Sequence, residues 1–416
     1  MIERTLADRP LAALAVLLTV FGIAVVYSAG QTDVLVPVVA KAWQRQLAWF
    51  AVGALSALLA SRASVRVLEW SAWPVYLGGV ALLALTLVFG SGAGTAASQK
   101  GWLTIAGVRM GQPSELAKIF VVLMLARVLA ARREAPTSLV DLWRPALVVL
   151  IPWLLIMLQP DLGTGIVFIG IFFCMLFWSG VKWPLLVLAA SPGVSLILAF
   201  STGAWGIWFV MLVALVIWYK PYLWEGIAVV VANVVSGVIA PILWDRLHPY
   251  QQRRLLVFLD PQSDPRASGY HVIQSQVAIG SGGWFGKGYL DGTQKRLAFL
   301  PAQHTDFIFS VVGEELGFLG VSVALALFFG LFLRTVRVAQ RANDQFSSLV
   351  AFGLGAGWFV HVTVNVGMTL NLMPITGIPL PFFSYGGSFL LSCWLAVGIL
   401  LRVSSEGRGR AGTFAM

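Results

Sequence analysis

Two Asp-Pro pairs lie four residues apart, Asp260-Pro261 and Asp264-Pro265. Proline holds the residue before it in an extended or turn conformation. A carboxylate so placed sits at a bend and can face a cleft, which suits a general base or a metal ligand. It equally suits a plain turn, because Asp is a turn residue. The surrounding segment, 244–306, carries seven of the 28 basic residues, Arg246 included. Arg253, Arg254, Lys287 and Lys295 are among them. Arg and Lys pair with phosphate through charge-assisted hydrogen bonds, so this segment reads either as a phosphate-facing surface or as an ordinary solvated loop.

Other polar groups interrupt apolar runs. Gln112-Pro113-Ser114-Glu115 opens one helix, with Lys118 following. Ser114 is expected to cap it, and Glu115 suits the positive end of the helix dipole. Glu115 and Lys118 are three residues apart, share a helix face and can pair. Charges at membrane depth face the bundle interior or a wet cavity, so the pair is either a binding site or a structural ion pair. Glu314-Glu315 follows His304-Thr305-Asp306 closely, but adjacent helical residues point about 100° apart and need not form a dyad. Asp161, in Gln159-Pro160-Asp161, is expected to be a helix cap. The run GSGGWFGKG (280–288) fails the phosphate-loop spacing; its glycines let the backbone bend or approach something closely. The histidines, 248, 271, 304 and 361, are scattered. Without HExxH, a nucleophile elbow or paired cysteines, zinc and covalent serine chemistry are not expected.

The elements that must position these groups follow from composition. The chain has 416 residues, 58% hydrophobic and 11% charged. A soluble chain carries about 25% charged residues, so this one must be a polytopic, all-α membrane protein. Apolar runs at roughly 11–28, 45–61, 72–90, 114–131, 144–159, 163–180, 183–201, 204–219, 223–243, 307–333, 346–371 and 381–402 predict about twelve spanning helices. With the N-terminus in the cytoplasm, sixteen basic residues fall at cytoplasmic ends and four in short outer loops. That bias places both termini in the cytoplasm and the segments 91–113 and 244–306 outside. The net charge of +10 is thus mostly topological, and no nucleic-acid partner is expected. One membrane domain spans 1–416. Cys174 and Cys393 lie in apolar runs and read as core residues.

The motifs together resemble one family, the SEDS proteins (shape, elongation, division, sporulation) of bacterial cell-wall synthesis. The matching stretches are GWLTIAGVRMGQPSELAKI (101–119), QPDLGTGI (159–166), FLDPQSDP through GTQKRLAFLPAQHTDFIF (258–309), EELG (314–317) and GMTLNLMPITGIPLPFFSYGGS (367–388). The GTQ at Gly292–Gln294, the first Asp-Pro and the ITG at Ile375–Gly377 resemble the elongation branch more than the division branch. The family usually has ten spanning helices. The surplus falls in 183–243, a probable insertion in family terms, where three helices are read and one is expected.

The resemblance implies a peptidoglycan glycosyltransferase of the bacterial cytoplasmic membrane that polymerises lipid II. It implies Asp264 as the essential loop aspartate, acting as general base on the acceptor 4-hydroxyl. Arg253, Arg254, Lys287, Lys295 or a divalent cation, Mg or Mn, would offset charge on the pyrophosphate leaving group. Glu115, Lys118 and Trp102 match the polar site and rim of the family's lipid-binding cavity. Ser114, Gln274, Ser275, His304 and Asp306 complete the expected substrate-binding set. The implied partners are lipid II, the growing polyprenyl-linked strand, a class B penicillin-binding protein with transpeptidase activity and the rod elongation complex. Two other readings stay open, a lipid-linked precursor transporter and a non-catalytic scaffold.

Overall fold

The structure, a computed structural model, describes residues 8–33, 37–92, 101–105, 108–132, 134–247, 249–260, 262, 268–297, 299–300 and 302–411. Twelve long helices occupy the twelve apolar runs. They are α1 (Arg9–Ala29), α2 (Ala42–Ala60), α3 (Val65–Phe89), α4 (Pro113–Ala130), α5 (Trp143–Leu158), α6 (Leu162–Trp178), α7 (Trp183–Leu198), α8 (Thr202–Tyr219) and α9 (Leu223–Arg246). After the long loop come α12 (Ile308–Gln340), α13 (Gln345–Thr369) and α14 (Gly387–Ala411). Within that loop lie two shorter helices, α10 (Pro249–Leu259) and α11 (Ser268–Ser281), and a single helical turn at Thr293–Arg296.

Local chemistry sets the starts. Asp8, Ser64, Asp161, Ser201 and Asp344 each accept a hydrogen bond from a backbone N–H three residues on, satisfying a donor the first turn leaves unpaired. Pro113 opens α4, where its missing N–H costs nothing. Ser114 therefore falls inside the first turn and is not the expected cap.

The core lies where α4, α13 and α14 meet. Of its most apolar stretch, α13 buries 72% inside the protein and α8 only 6%. The centre thus belongs to the motif-bearing helices, and the surplus helices α7–α9 form a peripheral group. A buried network ties that group together. Ser195 donates to Asn233 Oδ1 (2.6 Å), Asn233 Nδ2 donates to Ser191 Oγ (2.8 Å), and Trp208 Nε1 donates to Ser195 Oγ (3.1 Å). Polar side chains facing one another between apolar helices hold membrane bundles together.

Two features depart from the sequence reading. The outer segment 91–113 is not only loop. It forms a three-stranded antiparallel sheet, β1 (Gly90–Ser91), β2 (Trp102–Ile105) and β3 (Val108–Gly111). Pairing satisfies backbone groups that a glycine-rich segment beside a membrane must place somewhere. The run at 307–333 is also interrupted. Gly317 takes φ 61°, ψ −159° and kinks α12.

Candidate active site

Glu115 and Lys118 face each other one turn apart on α4. Lys118 Nζ lies 2.8 Å from Glu115 Oε2, both side chains nearly excluded from solvent. The same ammonium lies 2.8 Å from His361 Nε2 on α13. His361 Nδ1 lies 3.0 Å from the carbonyl oxygen of Pro379, which can only accept. Nδ1 therefore carries the ring proton, leaving Nε2 as the acceptor for Lys118. The ring of Phe389 on α14 closes the site, its centroid 5.1 Å from Nζ. The void beside these groups is about 30 Å³, room for roughly one water.

Above this cluster, at the end of the bundle that carries the sheet and the long loop, polar groups from several segments converge. Asp161 caps α6 through Thr164 N and also accepts from Gln112 Nε2 at 3.1 Å. It is near enough to both Glu115 and Asp306 for their charges to interact. Asp306 sits against the Gly377 turn, its backbone oxygen held by Asn365 Nδ2 at 2.9 Å. Burial pushes the Asp306 carboxyl up to about 6, against an opposing pull from Arg254. Arg254 projects from α10 close to His271 of α11 as well, and burial together with that guanidinium lowers the imidazole. Burial likewise lowers His304, whose ring lies 5.7 Å from that of Tyr385. The result is a descending line of ionisable groups, from Arg254 through Asp306 and Asp161 to Glu115 and Lys118.

The two loop lysines lie elsewhere. Lys287 donates to Glu314 Oε1 (2.9 Å) and Thr293 Oγ1 (2.7 Å). Lys295 is buried, and its ammonium is shared among Glu315, Ser28 Oγ and the Leu290 carbonyl. Three acceptors saturate its three protons. Both lysines, expected to face pyrophosphate, are thus committed to the adjacent carboxylates of α12, which point apart and hold separate partners. The glycine run explains why these groups meet. Lys287 N and Gly288 N donate to the Glu314 and Glu315 carbonyls (3.0 and 3.1 Å), and Phe318 N returns a bond to the Gly283 carbonyl at 2.9 Å. A Cβ on Gly286, at φ +80°, would sit 2.0 Å from the Glu315 oxygen. Gly282 and Gly286 thus admit another stretch of backbone.

Ser275 is also structural: it is buried and bonded to Ser310 Oγ (2.7 Å) and the Thr369 carbonyl (2.8 Å). Gln274 is half-buried on the same helix, Arg253 is exposed on α10, and Trp102 is half-buried on β2. The Ser114 hydroxyl is buried beside Glu115, without a hydrogen-bond partner among the described residues. Asp264 lies outside the described residues, on the connection between α10 and α11. Asp260 ends α10, its carboxylate accepting from Gln262 N at 3.0 Å. Sequence reasoning missed His361, Gln112 and the second role of Asp161. A histidine inside an apolar run was the available signal for the first. Gln112 and Asp161 have no such signal, since 49 residues separate them. Among the described residues, no three His, Cys, Asp or Glu side chains converge so as to hold a metal ion.

The chain matches the family of cell cycle proteins grouping FtsW, RodA and SpoVE, over residues 8–205 and 202–409. It is 37% identical to peptidoglycan glycosyltransferase MrdB of Escherichia coli K12, over 94% of this chain and 91% of that one. A chain of a peptidoglycan synthase complex that coordinates polymerization and crosslinking superposes with a TM-score of 0.70. The two are 30% identical over 96% of this chain and 98% of that one. The crystal structure of the rod shape determining protein RodA of Thermus thermophilus gives a TM-score of 0.62 at 27% identity, over 96% and 97% of the two chains.

Proposed function

This chain belongs to the FtsW/RodA/SpoVE family and is a peptidoglycan glycosyltransferase, and we propose on that premise how its residues carry the transfer. The donor is lipid II, bound with its polyprenyl pyrophosphate at the sheet-bearing end of the bundle. The acceptor GlcNAc 4-hydroxyl attacks the anomeric carbon of the donor MurNAc. The new glycosidic bond forms as the bond to pyrophosphate breaks. Asp264 takes the hydroxyl proton, since an alcohol needs a base as the bond forms. Attack opposite the leaving group inverts the sugar centre, by analogy with inverting glycosidases.

The observation that carries this reading is the position of Arg254. It stands beside Asp306 and His271 over the Glu115–Lys118 cluster, on the helix that leads through Asp260 toward Asp264. A guanidinium there can hold two pyrophosphate oxygens at once. Arg254 and its neighbour Arg253, rather than the glutamate-bound Lys287 and Lys295, compensate the leaving group. A magnesium or manganese ion would be held by the substrate's own pyrophosphate and would offset its charge there. The sixteen-to-four split of basic residues supports cytoplasmic termini, with the site at the outer face of the cytoplasmic membrane. The likeness to a chain of a synthase complex supports a class B penicillin-binding protein as partner, within the rod elongation complex.

Asp264→Asn, assayed on purified lipid II with the partner present, should make no glycan strands at normal membrane level. Normal strands from that variant would remove the assignment. Persistent lipid II translocation in vesicles by the same variant would favour a transporter.

A further inference from the structure

At the opposite end of the bundle, α1, α12 and α14 surround a second cavity, about 390 Å³. Asp8, Arg334, Arg337, Arg341, Val338 and Ser404 line it. The three arginines follow the spacing of one helix face. Only one has its charge answered there. Arg334 Nη2 donates to Asp8 Oδ1 at 2.7 Å, and that same oxygen caps α1 through Leu11 N at 3.1 Å. Arg337 and Arg341 make no side-chain hydrogen bond or ion pair among the described residues. Two like charges one turn apart repel. Proximity to the negative end of α12 offsets part of that repulsion but does not fill a cavity.

Depth says what would. After the kink, Phe318 to Leu333 contains no charged residue. That is about 24 Å of helix, most of the roughly 30 Å hydrocarbon layer. Arg334 is the first charge beyond it, and Arg337 and Arg341 stand about 5 and 10 Å further on, at headgroup level. The exposed side chains leading up to Arg337 on its own face are Leu333 and Phe329, 42% and 62% exposed. A cationic cavity at headgroup depth with an apolar track running down from it matches a phospholipid, phosphate above and acyl chain below. A soluble phosphate has no use for the track.

We propose that this cavity binds the phosphodiester headgroup of an anionic phospholipid in the leaflet opposite the reaction site, which the orientation above makes the cytoplasmic leaflet. Arg337 and Arg341 hold the phosphate oxygens, while Arg334 stays with Asp8. The site is independent of the glycosyl transfer chemistry.

The test is native mass spectrometry of the full chain in neutral detergent, titrated with dioleoyl phosphatidylglycerol or dioleoyl phosphatidylcholine. Wild type should retain the anionic lipid preferentially by roughly thirtyfold, the scale of two cations against one anionic headgroup. The double variant R337Q/R341Q should lose that preference. R62Q/R66Q, which removes the same charge from another loop on this side, should keep it. Thermal unfolding in neutral detergent checks that both variants are folded. Retention by R337Q/R341Q, or equal loss in both variants, would overturn the proposal. Displacement of the lipid by inorganic pyrophosphate at matching concentration would also overturn it, in favour of a soluble anion.

Discussion

Asp306 is a carboxylate whose protonation the fold moves into a working range of pH. Its unfolded value is near 3.9. In the folded chain burial raises it to about 6 while Arg254 opposes the rise. The native state therefore holds this proton more tightly than the unfolded state. The stabilisation is fully present below about pH 4 and is lost progressively as pH rises through about 6. Asp306→Asn removes the titration. Thermal melts of the variant should gain on wild type between about pH 4 and pH 6.5, then hold a constant lead. A lead independent of pH would show that Asp306 is not the titrating group. Lys118 presents a different case. Its partners, Glu115 and His361, come from two helices, and the His361 tautomer is set by a third segment through Pro379. The Glu115–Lys118 pair was legible, because a spacing of three residues is a local property. The histidine's part was not, because 243 residues separate it from Lys118.

At the scale of elements, the contact between the glycine run and the kink of α12 decides the shape of the outer loop. The kink frees backbone groups of Glu314, Glu315 and Phe318, and the loop from Gly283 to Gly288 takes them up. Only residues without a Cβ allow this approach. Gly286→Ala should displace the loop and cost about 2–3 kcal/mol, from overpacking and from positive φ. The expected readouts are a lower Tm in detergent and new proteolytic cleavage within 282–297. An unchanged Tm and cleavage pattern would mean the loop is held by other contacts. The sequence reading allowed either a tight bend or a close approach by these glycines. Which partner they approach depended on where α12 breaks, and hydropathy does not mark that break. The sheet at 90–111 was hidden for a related reason, since its strands are too short for a period-two pattern to register.

For the whole molecule, twelve long helices carry the sheet and the described part of the long loop at one end of the bundle, and the Arg334, Arg337 and Arg341 cluster at the other. The orientation predicts labelling from opposite sides. In a chain with Cys174 and Cys393 replaced by alanine, a membrane-impermeant maleimide should reach Ser281→Cys from outside the cell. It should reach Glu134→Cys only after the membrane is opened. The reverse pattern would invert the topology and move the proposed reaction to the wrong face. The all-α membrane architecture, the placement of the apolar helices and the family were decided by sequence, because hydropathy, charge bias and motif spacing are properties of contiguous residues. The surplus helices could also be read there, as three apolar runs in place of one. Only the tertiary structure decided which charges are spent. Lys287, Lys295 and Ser275 looked available to a substrate until folding set them against Glu314, Glu315 and Ser310. A buried cation must find an anion wherever the fold brings one, and such partners lie far apart along the chain.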